Sequence, residues 1–185
     1  MKEGRPENRW TANGQFALFS RILHWTMAAM ILAMLFIGVA MVASLADYHL
    51  LISIHRPLGI TILILVIIRY VNRRLNPPPP FHADMSSEER FVAHASEMMM
   101  YAMMVVLPLI GWGMLSAARY PIVLYGPLRL PPILPHDLTL YVWLRDLHTD
   151  LAYLFFAIFL AHFGAALFHG LIRRDGVLES MASWC

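Results

Sequence analysis

Cysteine is almost missing from this chain: its 185 residues include one, Cys185, at the very end. One cysteine cannot close an internal disulfide. It also excludes a cysteine-ligated iron–sulfur cluster and covalent haem attachment through a C-x-x-C-H motif. Any buried cofactor must therefore be held by histidine, methionine or carboxylates. Charge is scarce as well. Only 14% of residues are charged, against roughly 25% in ordinary soluble domains. That deficit fits one membrane domain spanning residues 1–185. The formal net charge is only +2, so no broad basic surface for nucleic acid is implied. Internal repeats are absent, and so is the two-residue alternation of a membrane barrel strand.

Long apolar runs are what the sequence does have. A membrane helix needs about 20 mostly apolar residues, and four stretches qualify, at about 20–46, 50–72, 91–118 and 146–172. The fold class expected is all-α, an integral membrane four-helix bundle. The first run follows Lys2, Arg5, Arg9 and Arg21, but its apolar core is too long for a cleaved signal, whose core is about 7–15 residues. Basic residues set the orientation. The N-terminal segment, the second loop (with Arg69, Arg73, Arg74 and Arg90) and the tail (Arg173, Arg174) carry most of them. Both termini are therefore expected in the cytoplasm.

The connections differ in character. Near Asp47 only a tight turn fits. NPPPPF, Asn76 to Phe81, is too proline-rich for helix. In SSEER, Ser86 and Glu89 stand at capping-box spacing, which predicts a helix start. The third loop, about Arg119 to Leu144, holds GPLRLPPILPHD; loops this long in compact proteins are often functional.

Histidines then sort by depth. His24 lies near the inner end of span one, and His55 near the outer end of span two. His148 sits at the outer boundary of span four. Fourteen residues of helix advance about 21 Å, which puts His162 toward the inner side. The angle agrees: fourteen residues at 100° fall about 40° short of four turns, so His148 and His162 share a face. His169, seven further on, continues the stripe. Two pairs result, His55 with His148 outside and His24 with His162 inside. Gly38, fourteen residues after His24, and Gly59, one turn after His55, either leave room for a large flat group or serve bare helix–helix contact.

Polar groups at membrane depth are costly and usually functional. Zinc wants four protein ligands, or three plus water, and each layer offers two. Two axial imidazoles instead suit a six-coordinate haem b, and two haem b groups stacked across the bilayer would conduct electrons. Arg69, fourteen residues after His55, and Arg56 either pair with haem propionates or snorkel at the boundary. The thirteen methionines read as packing.

With SRILHW at His24, HRPLGI at His55, LPLIGWGMLSA in span three and LHTDLAYLFFAIFLAHFGAALFH in span four, the chain resembles the bacterial cytochrome b561 family over about Phe19 to Met181. The resemblance implies axial ligation by His24 and His162 for one haem and by His55 and His148 for the other. It implies electron exchange with ubiquinone, and in one branch the oxidation of periplasmic superoxide to dioxygen. One departure concerns a histidine often found four residues before the tyrosine of span three. Here Glu97 precedes Tyr101, and His94 lies one turn earlier. His94, Glu97 and His169, with Arg73 and Arg74, are the candidate border of a quinone site; alternatively Glu97 caps a helix or faces water.

Three functions follow. The first is a di-haem oxidoreductase of the inner membrane, passing electrons between a periplasmic donor, superoxide among the candidates, and ubiquinone. No nucleophile or acid–base dyad is needed outside, and Arg119, Arg129 and Arg145 could draw in an anion, though Asp137, Asp146 and Asp150 blunt that field. The second is a haem b anchor relaying electrons for a partner dehydrogenase or hydrogenase docked on loop three. The third is a haem-free proton or metal transporter.

Overall fold

A computed structural model describes residues 15–78, 85–124 and 126–182. Lys2, Arg5, Arg9, Phe81 and Cys185 lie outside these ranges. Four long helices dominate: α1 (Leu18–Ala43), α2 (Tyr48–Leu75), α3 (Ser87–Ala117) and α4 (Leu138–Leu167). Each is long and apolar enough to cross a membrane. At 1.5 Å per residue even the 26-residue α1 reaches about 39 Å, beyond the roughly 30 Å of hydrocarbon.

Local chemistry sets the helix ends. Between α1 and α2, Ser44 Oγ donates to Asp47 Oδ2 at 2.9 Å, which tightens the turn. The capping box at α3 is present: Ser86 Oγ accepts from Glu89 N, and Glu89 Oε2 accepts from Ser86 N. α4 begins at Leu138, well ahead of the start expected near residue 146, because Asp137 caps it. Asp137 Oδ1 accepts from the backbone N–H of Thr139 at 2.8 Å and of Leu140 at 3.0 Å. The third loop is shorter by that stretch.

The helices pack as two hairpins. α1 lies along α2 and α3 along α4, while α2 and α3 join the pairs; α1 and α4 approach much less closely. Where the hairpins meet, a small apolar core forms from Met27, Ile31, Leu35, Ile62, Val66, Met103, Met104, Leu107 and Phe155. Outside it, Phe36, Val42, Ile64 and Leu160 are more than half exposed. Such an apolar exterior is untenable in water and is what lipid requires.

One departure from plain α-helix bears on His169. Past Leu167 the chain widens into a π-helical turn, Phe168–Arg173, with Arg174 N donating to His169 O at 2.7 Å. The α-helical angle that placed His169 on the stripe therefore holds only to the start of this turn. The tail then folds back. Its short helix α5 (Glu179–Ala182) meets α1, where Trp25 Nε1 donates to Met181 O and Phe16 N to Ser180 O. In the third loop, β1 (Ile122–Val123) pairs antiparallel with β2 (Arg129–Leu130).

A candidate haem-binding site in two layers

Outer layer first. His55 comes from α2 and His148 from α4, and their rings face each other with centroids 6.3 Å apart, inclined at 68°. This distance has a chemical meaning. A metal–imidazole nitrogen bond is about 2.0–2.1 Å, so two rings this close could be held by one metal-centred group.

Two buried polar atoms here, His55 Nδ1 and Arg56 Nε, have no hydrogen-bond partner among the described residues, and His148 turns its Nδ1 toward Gly111 of α3. Leaving such atoms unpaired costs about 1–3 kcal/mol each. Two imidazoles and a guanidinium suit a group with a metal at its centre and carboxylates at its edge, which is the chemistry of haem. On its other side His148 rests against α3, meeting the Leu107 carbonyl and Gly111. A Cβ on Gly111 would stand 3.4 Å from His148 Cε1.

The inner layer is arranged differently. Arg69 of α2 donates to the Ser20 carbonyl at 3.3 Å and to His24 Nδ1 at 3.3 Å. His162 of α4 lies within electrostatic reach of both His24 and Arg69. Beside them Asn72 Nδ2 donates to Ser20 Oγ at 2.7 Å. Arginine only donates, so this contact keeps His24 Nδ1 an acceptor. Metal-bound histidine usually donates from its other ring nitrogen. A metal ion on the other ring nitrogen would therefore be an alternative to the Arg69 contact.

Between the layers lies Phe155, seven residues from His148 and seven from His162, and 5% exposed. The two glycines separate. A Cβ on Gly38 would have nothing within 4 Å, whereas one on Gly59 would touch Met34 of α1 at 3.5 Å. Gly38 thus borders space, and Gly59 serves helix contact. Among the described residues, no three His, Cys, Asp or Glu side chains gather to hold a metal ion.

Residues expected to border a quinone divide into separate groups. Glu97 gives both carboxylate oxygens to Arg73, at 2.5 and 2.7 Å, a forked pair tying α3 to α2. His169 Nδ1 bonds Asp175 Oδ2 at 2.6 Å. His94 and Arg74 are exposed. The cleft by Ser20, Arg69, Asn72, Arg73 and Tyr101 measures only about 10 Å³, room for one water.

Sequence reasoning missed Asp175 and the Arg173–Glu89 pair. Asp175 stands six residues after His169, outside α-helical reach, and the π-turn closes the gap. Its carboxyl is held below the ordinary 3.8. Burial pushes it up. The His169 hydrogen bond, the Val177 N–H and the charges of His169 and Arg173 outweigh that.

Comparison with known proteins identifies the family. The model of the prokaryotic cytochrome b561 family matches residues 15–184. Cytochrome b561 homolog 2 of Escherichia coli (strain K12) is 26% identical over 170 residues, covering 90% of each chain. The chain belongs to the prokaryotic cytochrome b561 family, and is a multi-pass protein of the bacterial inner membrane that binds haem b and transfers electrons.

Proposed function

We propose, from that membership and the geometry together, that the chain holds two haem b groups and carries electrons between a donor on the outer side and ubiquinone in the membrane. His55 and His148 hold the outer haem, and His24 and His162 the inner. The observation that carries this reading is the outer layer, where the His55 and His148 rings meet with centroids 6.3 Å apart beside Arg56, whose buried Nε has no hydrogen-bond partner among the described residues.

When bound, haem would supply one-electron chemistry, and His55 with His148 and His24 with His162 would hold it. The chain's own part is to orient and insulate. His148 is seated on α3 by the absence of a side chain at Gly111. Arg56 outside and Arg69 inside offer guanidinium groups to propionates. Phe155 and the apolar core keep water from the path between the layers.

Quinone reduction consumes protons at the end that receives electrons. His169, whose Nδ1 is fixed by Asp175, has Nε2 left for exchange with a quinone oxygen. Arg73, Arg74, His94 and Glu97 stay as its candidate neighbours at that end of the bundle. Both termini are placed in the cytoplasm, on the side of Arg73, Arg74, Arg173 and Arg174.

A pyridine haemochrome assay tests the reading, with two haem b per chain expected and fewer than one ending it. For the donor, superoxide should drive quinone reduction by purified protein above the uncatalysed rate; no acceleration removes superoxide as the donor. Stable co-purification with a dehydrogenase or hydrogenase would instead mark the chain as that enzyme's haem b anchor.

A further inference from the structure

The inner histidines sit on the two long helices that approach each other least. His24 is on α1 and His162 on α4, and between these helices the bundle leaves a seam. Outward of both histidines the rings of Phe36 and Phe156 meet across it, with centroids 6.4 Å apart. At the inner end it is the tail that crosses, from the end of α4 to the start of α1.

The crossing is built residue by residue. After the π-helical turn, Arg174 and Gly176 both take positive φ, 51° and 82°, which reverses the chain. Glycine adopts the second of these at no steric cost. Asp175 holds the reversal between them: Oδ2 bonds His169 Nδ1 at 2.6 Å, and Oδ1 accepts from Val177 N at 3.3 Å. Leu178 then folds back onto the turn. A Cβ on Gly170 would run into the Leu178 side chain, with Leu178 Cβ itself at 3.1 Å. Arg173 ties the base of the crossing to α3 through Glu89. The far end is held by two hydrogen bonds only, Trp25 Nε1 to Met181 O at 3.0 Å and Phe16 N to Ser180 O at 3.2 Å.

This far end lies beside the inner layer. Trp25 follows His24, and the two rings meet edge to face at 5.6 Å. Phe16 and Met181, brought together by the crossing, wall the cleft that holds Ser20, Arg69 and Asn72, and Arg69 donates to His24 Nδ1. The cleft measures only about 10 Å³, enough for one water and far too little for a porphyrin. The two ends are fastened unequally. At α4 the tail has ion pairs and packing, whereas each bond at α1 contributes little net stability, so the α1 end is the one that opens locally.

We propose that residues 174–182 form a strap across the inner mouth of the α1–α4 seam, hinged at Arg174 and Gly176, and that its α1 end must lift for haem to reach or leave His24 and His162. The role toward haem rests on the reading of those two histidines as an axial pair.

The experiment follows haem transfer from the haem-loaded full chain, in detergent, to an excess of apomyoglobin, read by absorbance. Two variants bracket the wild type. Gly170→Leu pushes Leu178 off the turn and should favour the open strap. Phe16→Cys with Ser180→Cys, in a Cys185→Ser background, places two thiols on backbones already joined by a hydrogen bond, within disulfide reach, and should hold the strap shut. Release through an open form scales with the population of that form. The inner haem, identified by its absence from His162→Ala, should therefore leave about tenfold faster from Gly170→Leu and about tenfold slower from the cross-linked protein, the size expected for losing or fixing two such bonds. The outer haem should leave all three proteins at one rate. Protease cleavage of the tail, which needs no haem, should quicken in Gly170→Leu. Equal inner-haem rates in the three proteins, or unchanged cleavage, overturn the strap. A starting content below one haem per chain instead overturns the axial-pair reading and the haem role with it, while the cleavage rates still report on the strap itself.

Discussion

Replacing His148 with alanine should remove one haem of two and leave the other almost untouched. The outer pair needs both rings, whose centroids stand 6.3 Å apart. The inner pair is fourteen residues away along α4, about 21 Å. At that distance, with an effective dielectric of about 20, one unit charge shifts another by about 0.8 kcal/mol. For a one-electron couple this is about 35 mV. A spectroscopic redox titration of His148→Ala should therefore show a single wave within about 35 mV of one wild-type midpoint. Haemochrome content should fall from two per chain to one, and His162→Ala should retain the complementary wave. Added free imidazole should restore the missing haem in each variant. Folded His148→Ala that keeps two haems refutes the pairing. A shift of the surviving midpoint well beyond 100 mV, several times the estimate above, refutes the layered separation.

Three further outcomes follow from the same structure. Asp137→Ala removes the cap of α4 and should cost about 0.5–2 kcal/mol, read as a lower thermal midpoint with unchanged haem content. Leucine at Gly111 should displace His148, since even a Cβ there meets the ring at 3.4 Å; absorbance should then show loss of the outer haem alone. The third outcome concerns pH. The folded value of Asp175 lies below its ordinary 3.8, so its ionised form is favoured by folding. The stability it contributes is full above pH 3.8 and is lost as pH falls through the lower folded value. Protease protection of the tail should hold at pH 5 and weaken below about pH 4, and Asp175→Asn should flatten that dependence.

The sequence reveals depth well and lateral contact badly, and the reason is geometric. Helical rise is fixed, so once α2 and α4 are recognised, His55 and His148 can be assigned to one level, and the structure brings their rings together. Contacts between helices depend on side-chain choice among neighbours. Glu97 could have capped a helix or met water; only the packing of α3 on α2 gives it Arg73. The start of α4 was hidden because Pro131, Pro132 and Pro135 colour the whole stretch as loop, although Asp137 followed by Thr139 is a cap signal. The path of the third loop was not legible at all: Arg119 takes a left-handed conformation and Trp112 bonds across nineteen residues to Pro131.

The two layers are not equivalent, and the difference predicts an order of haem loading. Outside, among the described residues, no arginine is hydrogen-bonded to the His55 or His148 ring, so a haem bound there would have no such contact to displace. Inside, a haem held by His24 would first have to displace the Arg69 contact, a hydrogen bond to a charged donor worth about 1.5–3 kcal/mol. That is roughly ten- to hundredfold in relative affinity. Protein produced under haem limitation should thus carry haem mainly at the outer site. In that material His148→Ala should abolish most of the absorbance and His24→Ala rather little. Arg69→Met removes the competing donor without adding another, so it should bring the two occupancies together, even though a propionate partner is lost with it. If haem-limited protein fills the inner site first, or fills both equally with Arg69 present, then the contact between Arg69 and His24 does not govern assembly.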